Sequence, residues 1–207
     1  MRFTKQNLSE PEPQPEPGFL GARARARKKP GSGSGWGSGS GRRIHRVIKA
    51  RVITCSDAAS RGEREDRSGP AVRELLAKNG YDVDSVVIVA DDADAIAMAI
   101  ENATGDGVRL VVTTGGTGIA PRDVTPEATM RVCERVIPGI GELMRLRSLE
   151  KTPMAPLSRA QAAVRGSALI LNLPGSVNGA VDNLSAILHL VPHALELLSG
   201  APVEHRS

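Results

Sequence analysis

Aromatic side chains are nearly missing from this chain: one Trp, one Tyr and two Phe, 2% of 207 residues. Any core must therefore be packed from Val, Ile, Leu, Ala and Met, and a hydrophobic content of 40% allows it. No apolar run reaches the ~18 residues a membrane span needs. No apolar stretch follows the N-terminal charges, so neither a spanning helix nor a secretory leader is expected. The arginines at 23, 25 and 27 alternate with alanine and run into Lys28, Lys29 and Pro30, which is not a twin-arginine signal. Cysteine is scarce too. Cys55 and Cys133 form no C-x-x-C pair and have no histidine at metal-ligand spacing. That pattern fits free thiols in a reducing cytoplasm, acting as small buried hydrophobes. The four histidines (45, 189, 193 and 205) make no triad or metal pair; His189 and His193 are separated by Pro192 and read as structural.

Two phosphate-binding signatures are also lacking. There is no G-x-x-x-x-G-K-[ST], which argues against a P-loop ATPase. Gly116-x-Gly118 is followed by Pro121 where a dinucleotide fingerprint needs its third glycine, which argues against an NAD enzyme.

The net charge of +4 divides unevenly. Residues 1–46 hold ten Lys/Arg and three Glu, 10 − 3 = +7; residues 47–207 hold seventeen Lys/Arg and twenty Asp/Glu, 17 − 20 = −3. The basic part reads SEPEPQPEP (9–17), GARARARKKP (21–30) and GSGSGWGSGSG (31–41). Such Pro/Glu, basic and Gly/Ser stretches cannot bury enough apolar surface to offset their ordering entropy, so 1–45 is expected to be disordered. The basic run could touch nucleic acid or an acidic partner, though a solubilising tail is the plainer reading. Trp36 is a weak stacking candidate.

Order is expected from Arg46 to about residue 200, with 201–207 as a short tail. VIKARVIT (47–54), VDSVVIVA (83–90), VRLVVTT (108–114) and SALILNLPG (167–175) read as strands. Between and after them, AVRELLAKNG (71–80), DDADAIAMAIENAT (91–104), a segment begun by Thr125-Pro126, and 138–149 read as helices. SRAQAAVRG (158–166) is taken as a further helix, and 177–199 as two helices broken at Pro192. Strand and helix alternate, which predicts an α/β fold: a three-layer, doubly wound, mostly parallel sheet.

Ligands in such a sheet sit beyond the carboxyl ends of its strands. Four strand ends carry polar or glycine-rich residues: Ser56 and Asp57; Asp91 and Asp92; Thr113, Thr114, Gly115, Gly116, Thr117 and Gly118; and Pro174, Gly175 and Ser176. Three glycines within four positions let backbone N–H groups approach an anion, and the threonine hydroxyls add donors. A phosphate is the natural guest. Asp123 lies five residues past Gly118, and an acid beside a phosphate site needs an intervening cation. Magnesium held by one or two carboxylates plus substrate phosphates meets that need, with Asp91 or Asp92 as a second carboxylate. Asp91 could equally be a helix-terminus acid. Arg122 could face the phosphate or solvent. Asn172 could read a base or pterin edge.

Taken together, SRGEREDRSGP (60–70), VVTTGGTGIAPRDVTPEAT (111–129), IPGIGELMR (137–145), LSRAQAAVRG (157–166) and LILNLPGS (169–176) resemble the MogA/MoaB molybdenum-cofactor family, also found as a domain of gephyrin. The likeness runs from about Val47 to Gly200. It implies a compact α/β fold, usually trimeric or hexameric, with molybdopterin and ATP as substrates. It implies adenylylation of molybdopterin with release of pyrophosphate, with Mg2+ as the metal and the molybdate-inserting enzyme as a partner. It places the family's two essential aspartates at Asp91 and Asp123, its glycine-loop contacts at Thr114 to Gly118, and its second phosphate and pterin contacts at Asn172 to Ser176. Two positions depart from the pattern. Val177-Asn178 stands where Pro-Lys is common, and Ala90 where a proline usually precedes the acid. A non-catalytic paralogue that binds molybdopterin or a protein partner therefore stays open. A pterin carbinolamine dehydratase would want clustered histidines as acid–base groups, and none are offered.

Overall fold

A computed structural model describes residues 47–200; the tail expectations for 1–45 and 201–207 lie outside that range. Its elements in chain order are β1 (Lys49–Cys55), α1 (Asp57–Ser60), α2 (Ser68–Lys78), β2 (Asp82–Val89), α3 (Ala93–Gly105), β3 (Leu110–Thr114), α4 (Thr125–Val132), β4 (Arg135–Val136), α5 (Pro138–Leu149), β5 (Gln161–Arg165), β6 (Ala168–Leu173), α6 (Val177–Ile187) and α7 (Val191–Leu198). One six-stranded sheet carries them, in the order β2-β1-β3-β6-β5-β4. The first four strands of that order pair in parallel, and β5 and β4 extend the sheet antiparallel.

Period-two alternation sorts the apolar residues onto two faces. Val52, Leu110, Val112, Leu169 and Leu171 pack with Val72 and Leu76 of α2, Met144 of α5, and Leu184 and Ile187 of α6. Their sequence neighbours Ile53, Val111 and Ile170 point the other way, onto Ile96 and Ile100 of α3 and Ala128 of α4. Because helices cover both faces, β3 and β6 are buried at every position, as their unbroken apolar runs require. The expected three-layer, mostly parallel α/β architecture is present. Among the described residues no helix is long and apolar enough to cross a membrane.

Three segments differ from the sequence expectation. SRAQAAVRG forms strand β5, not a helix: Arg165 and Ala168 pair across a two-residue turn, with Gly166 at φ +55. Alanine's helix preference is worth only a few tenths of a kcal/mol per residue, and it yields here to pairing with the buried β6. The short β4 pairs with the outer edge of β5 over two residues, and it has no periodic signal of its own. Downstream, the break in 177–199 falls at Leu188–Leu190, a 3-10 turn, and Pro192 sits in the first turn of α7. There its missing N–H costs nothing.

The chain moves outward from β1 to β2 in one direction, then restarts at β3 on the other side of β1. The loops leaving β1 and β3 therefore diverge. Such a switch point is where an open α/β sheet leaves a crevice at its carboxyl edge.

Candidate active site

That crevice is a cleft of about 630 Å³, lined from β1 and its following loop, from the ends of β2, β3 and β6, and by Asp123. Gly115 and Gly116 form its floor. Both take positive φ (+96 and +62), and both are hemmed in: a Cβ on Gly115 would sit 2.2 Å from the Cys55 carbonyl oxygen, and one on Gly116 2.3 Å from Thr125 Oγ1. The Gly115 N–H donates to the Leu173 carbonyl at 3.1 Å, and its own carbonyl accepts from Thr125 Oγ1 at 2.9 Å. The Gly116 carbonyl accepts the Thr125 N–H at 3.1 Å. Thr125 thus anchors the loop, and its hydroxyl does not cap α4. The loop's carbonyls are committed, but the N–H groups of Gly116, Thr117 and Gly118 have no partner among the described residues. Successive free amides of this kind make an anion-binding concavity.

The turn after β6 closes the cleft from the other side. A Cβ on Gly175 would lie 3.1 Å from the Gly115 Cα, so two glycine turns pack backbone against backbone. Ser176 caps α6 by accepting the Gly179 N–H, and the positive end of this helix borders the cleft through Gly175, Ser176 and Val177.

Two carboxylates flank the glycine floor. Asp91 Oδ2 accepts the Asp57 N–H at 2.9 Å, and Asp57 Oδ1 accepts the Asp91 N–H at 3.1 Å. This reciprocal pair fixes Asp91, while Arg122 pairs with the other Asp57 oxygen and so faces an acid of the protein. The helix-cap alternative for Asp91 belongs to its neighbour: Asp92 caps α3, accepting from the N–H groups of Asp94 and Ala95. Asp123 Oδ2 accepts the Ala120 N–H at 2.8 Å. Each flanking carboxylate therefore keeps its Oδ1 without a hydrogen bond among the described residues. Two carboxylates with one uncommitted oxygen each suit magnesium, which takes few protein ligands and fills its octahedron with substrate phosphate and water. Among the described residues no group of three or more His, Cys, Asp or Glu forms an all-protein metal cage.

Of the sequence candidates, the structure brings together Ser56, Asp91, Thr114, Gly115, Gly116, Asp123, Gly175 and Ser176 on the cleft. Asp57, Thr117, Gly118 and Pro174 are close in sequence to lining residues but are not part of the lining themselves. Thr113 and Asn172 are wholly buried on the α3/α4 side of the sheet. Asn172 Nδ2 donates to the hydroxyls of Thr113 and Thr129, at 3.0 Å each. Asn172 therefore reads no ligand edge with its side chain. The cause is register: Leu171 and Leu173 face α5–α7, and the residue between them must face the opposite layer. His189 and His193 are exposed and away from the cleft.

The strand-end rule missed two sets of residues. The stretch Arg64 to Ser68 lines the cleft although it lies well past β1. Asp66 holds it there, accepting from Thr54 Oγ1 at 2.7 Å and from the N–H groups of Ser68 and Gly69 at 3.1 Å each. Ser68 Oγ in turn meets Thr114 Oγ1 at 3.0 Å. Asp66 lies one residue before the N-cap Arg67, and by accepting the first two N–H groups of the helix it helps α2 start at Ser68, ahead of Pro70. Arg159 is the second omission. Its N–H and Nε donate to the carbonyls of Thr117 and Gly118 at 2.7 Å each, its Nη2 donates to the Asp123 carbonyl, and it pairs with Glu127. Both lie in motifs whose length was itself the available signal.

Known proteins resemble this chain in sequence and in fold. The family described as "Probable molybdopterin binding domain" matches residues 51–193. Molybdopterin adenylyltransferase of Helicobacter pylori strain J99 is 43% identical over 154 residues, covering 72% of this chain and 86% of that one. Its counterpart in Escherichia coli K12 is 37% identical over 168 residues, covering 74% and 86%. The crystal structure of the molybdopterin biosynthesis enzyme MoaB from Thermus thermophilus superposes with a TM-score of 0.70 at 47% identity, covering 76% of this chain and all of that one. With the fold and the sequence match in agreement, the chain belongs to the MogA/MoaB family of molybdenum cofactor biosynthesis.

Proposed function

We propose that this protein is a molybdopterin adenylyltransferase, and that the cleft is where it joins molybdopterin to the AMP moiety of ATP. One observation carries the reading. Two aspartates with an uncommitted oxygen each flank a glycine floor whose amides are free to hold phosphate. In the reaction, a terminal phosphate oxygen of molybdopterin attacks the α-phosphorus of ATP. The bond from that phosphorus to the bridging oxygen breaks, and pyrophosphate leaves with the electron pair. The attacking phosphate is already an anion, so no general base is assigned. Such chemistry asks for positioning and charge neutralisation more than for a covalent residue.

The amides of Gly116 to Gly118 and the turn Gly175-Ser176 would hold phosphate groups. Asp91 and Asp123 would hold Mg2+, whose positive charge offsets that of the phosphates. Asp57 and Thr125 position these groups through the bonds described above. Ser56 offers a hydroxyl at the wall, while the buried Thr114 hydroxyl ties β3 to Ser68 and Thr54. Thr113, Asn172 and Pro174 support the loops without reaching the guest, and Thr117 contributes its backbone N–H while its side chain stays buried. The proposal includes a cytoplasmic location, assembly as a homotrimer or homohexamer, and hand-over to a molybdate-inserting enzyme.

Pyrophosphate release from Mg-ATP, with and without molybdopterin, tests it. Release should depend on molybdopterin and fall at least about a hundredfold in Asp123→Ala and in Asp91→Ala, the scale of losing an electrostatic stabiliser. Tight pterin binding with no release by the unaltered protein would favour the non-catalytic paralogue, the alternative that Val177-Asn178 leaves open.

A further inference from the structure

The cleft is acidic in sum. Glu65, Asp66, Asp91 and Asp123 bring four carboxylates and Arg64 and Arg67 two guanidinium groups, 2 − 4 = −2. A guest bearing several phosphate charges must be met by cations, and only Arg64 and Arg67 supply them from the lining. The wall after β6 offers none, because Val177 and Asn178 follow Ser176.

These two arginines are also the ones left free. Next to the same cleft Arg61 is bound to Glu63, Arg122 to Asp57 and Arg159 to Glu127. Arg64 and Arg67 have no carboxylate or side-chain hydrogen-bond partner among the described residues, and both are exposed. Their backbone is nevertheless held. The N–H groups of Glu63 and Arg64 donate to the Ala58 carbonyl at 2.8 and 3.2 Å, and Asp66 ties the far end to β1 and α2. A fixed strap that presents two unpaired planar forks to a cleft is suited to grip phosphate oxygens in bidentate fashion.

We propose that Arg64 and Arg67 bind a phosphate of the anionic substrate and supply the cationic contact that the β6 turn lacks. The inference rests on the adenylylation reading for the identity of its substrates. The phosphate belongs either to the ATP polyphosphate or to the pterin, and binding measurements separate the two.

The experiment titrates the full chain with Mg-ATP alone and with molybdopterin alone, by calorimetry. It compares Arg64→Gln, Arg67→Gln and the double variant with Arg73→Gln, an exposed cation of α2 outside the cleft. The double variant should bind one ligand about tenfold more weakly or worse. Weakening on the Mg-ATP arm assigns the polyphosphate; weakening on the molybdopterin arm assigns the pterin phosphate. Both single variants should keep the unaltered thermal midpoint, since neither side chain is packed. A second reading needs no variant: raising KCl from roughly 50 to 300 mM should weaken the same arm in the unaltered protein. Unchanged affinity on both arms, or equal weakening by Arg73→Gln, overturns the proposal. Pyrophosphate release by the unaltered protein is followed in parallel. Binding without release defeats the transferase reading alone. Release with unchanged affinities in the double variant defeats the arginine assignment alone. An unaltered protein that binds neither ligand defeats both.

Discussion

Cys55 shows how one buried residue at the cleft reports on the site. It ends β1 beneath the glycine floor, and burial pushes its thiol up to about 12 from an ordinary 9, an effect that nearby Asp91 reinforces and a Thr125 hydrogen bond opposes. The thiol is thus a neutral, unreactive hydrophobe at physiological pH. Below about pH 9 both folded and unfolded chains keep this proton, and stability does not depend on it. Above that, the unfolded chain releases the proton first, so stability falls as pH rises toward about 12. The slope is on the order of 1.4 kcal/mol per pH unit. Denaturant midpoints at pH 8 and pH 10.5 should therefore converge for the unaltered protein and Cys55→Ala, as the advantage of the native thiol shrinks. A constant difference between them would show that the thiol is not buried as described. At this scale the sequence was legible where chemistry and position coincide, as at Asp91, Asp123 and Gly115. It was less so at Asn172, a polar residue at a strand end whose side chain turns inward. Register decides that, and register depends on which neighbours a strand pairs with.

At the scale of elements, β5 is the informative case. Its alanines resemble a helix, and the structure makes it a strand whose entrance clamps the glycine loop. Arg159, just ahead of β5, binds the carbonyls of Thr117, Gly118 and Asp123 together. Hydrogen bonds to a charged group are worth about 1.5–3 kcal/mol. Arg159→Ala should accordingly lower kcat for pyrophosphate release tenfold or more by loosening Asp123, with pterin affinity changed far less. A variant with native kcat would mean that the loop holds itself. The four parallel strands were legible because each is a short apolar, β-branched run. The pairing of β5 with β6 was written in Gly166-Ser167, a two-residue hairpin signal that the alanine content obscured. Likewise α2 begins early because Asp66 accepts its first two N–H groups, and Thr54 of β1 holds the Asp66 carboxylate in place.

Over the whole domain, the topology explains why residues scattered from 56 to 176 meet. Parallel strands place all their carboxyl ends on one edge, and the switch between β1 and β3 opens a crevice there. That much follows from alternation of strand and helix alone, which is why the cleft could be anticipated from the sequence. The strap from Arg64 to Ser68 could not be placed in the same way, because its position comes from a side-chain knot. The acidic balance of the cleft adds the requirement for cations, and it links the magnesium proposed at Asp91 and Asp123 to the arginines on the strap.

The central claim is tested most directly by identifying the product. The protein is incubated with molybdopterin and Mg-ATP, and the pterin is analysed by mass spectrometry. The account predicts a pterin heavier by one adenylyl group, one pyrophosphate released for each, and neither when EDTA removes the metal. Molybdopterin recovered unmodified by a protein shown to bind it would contradict the account.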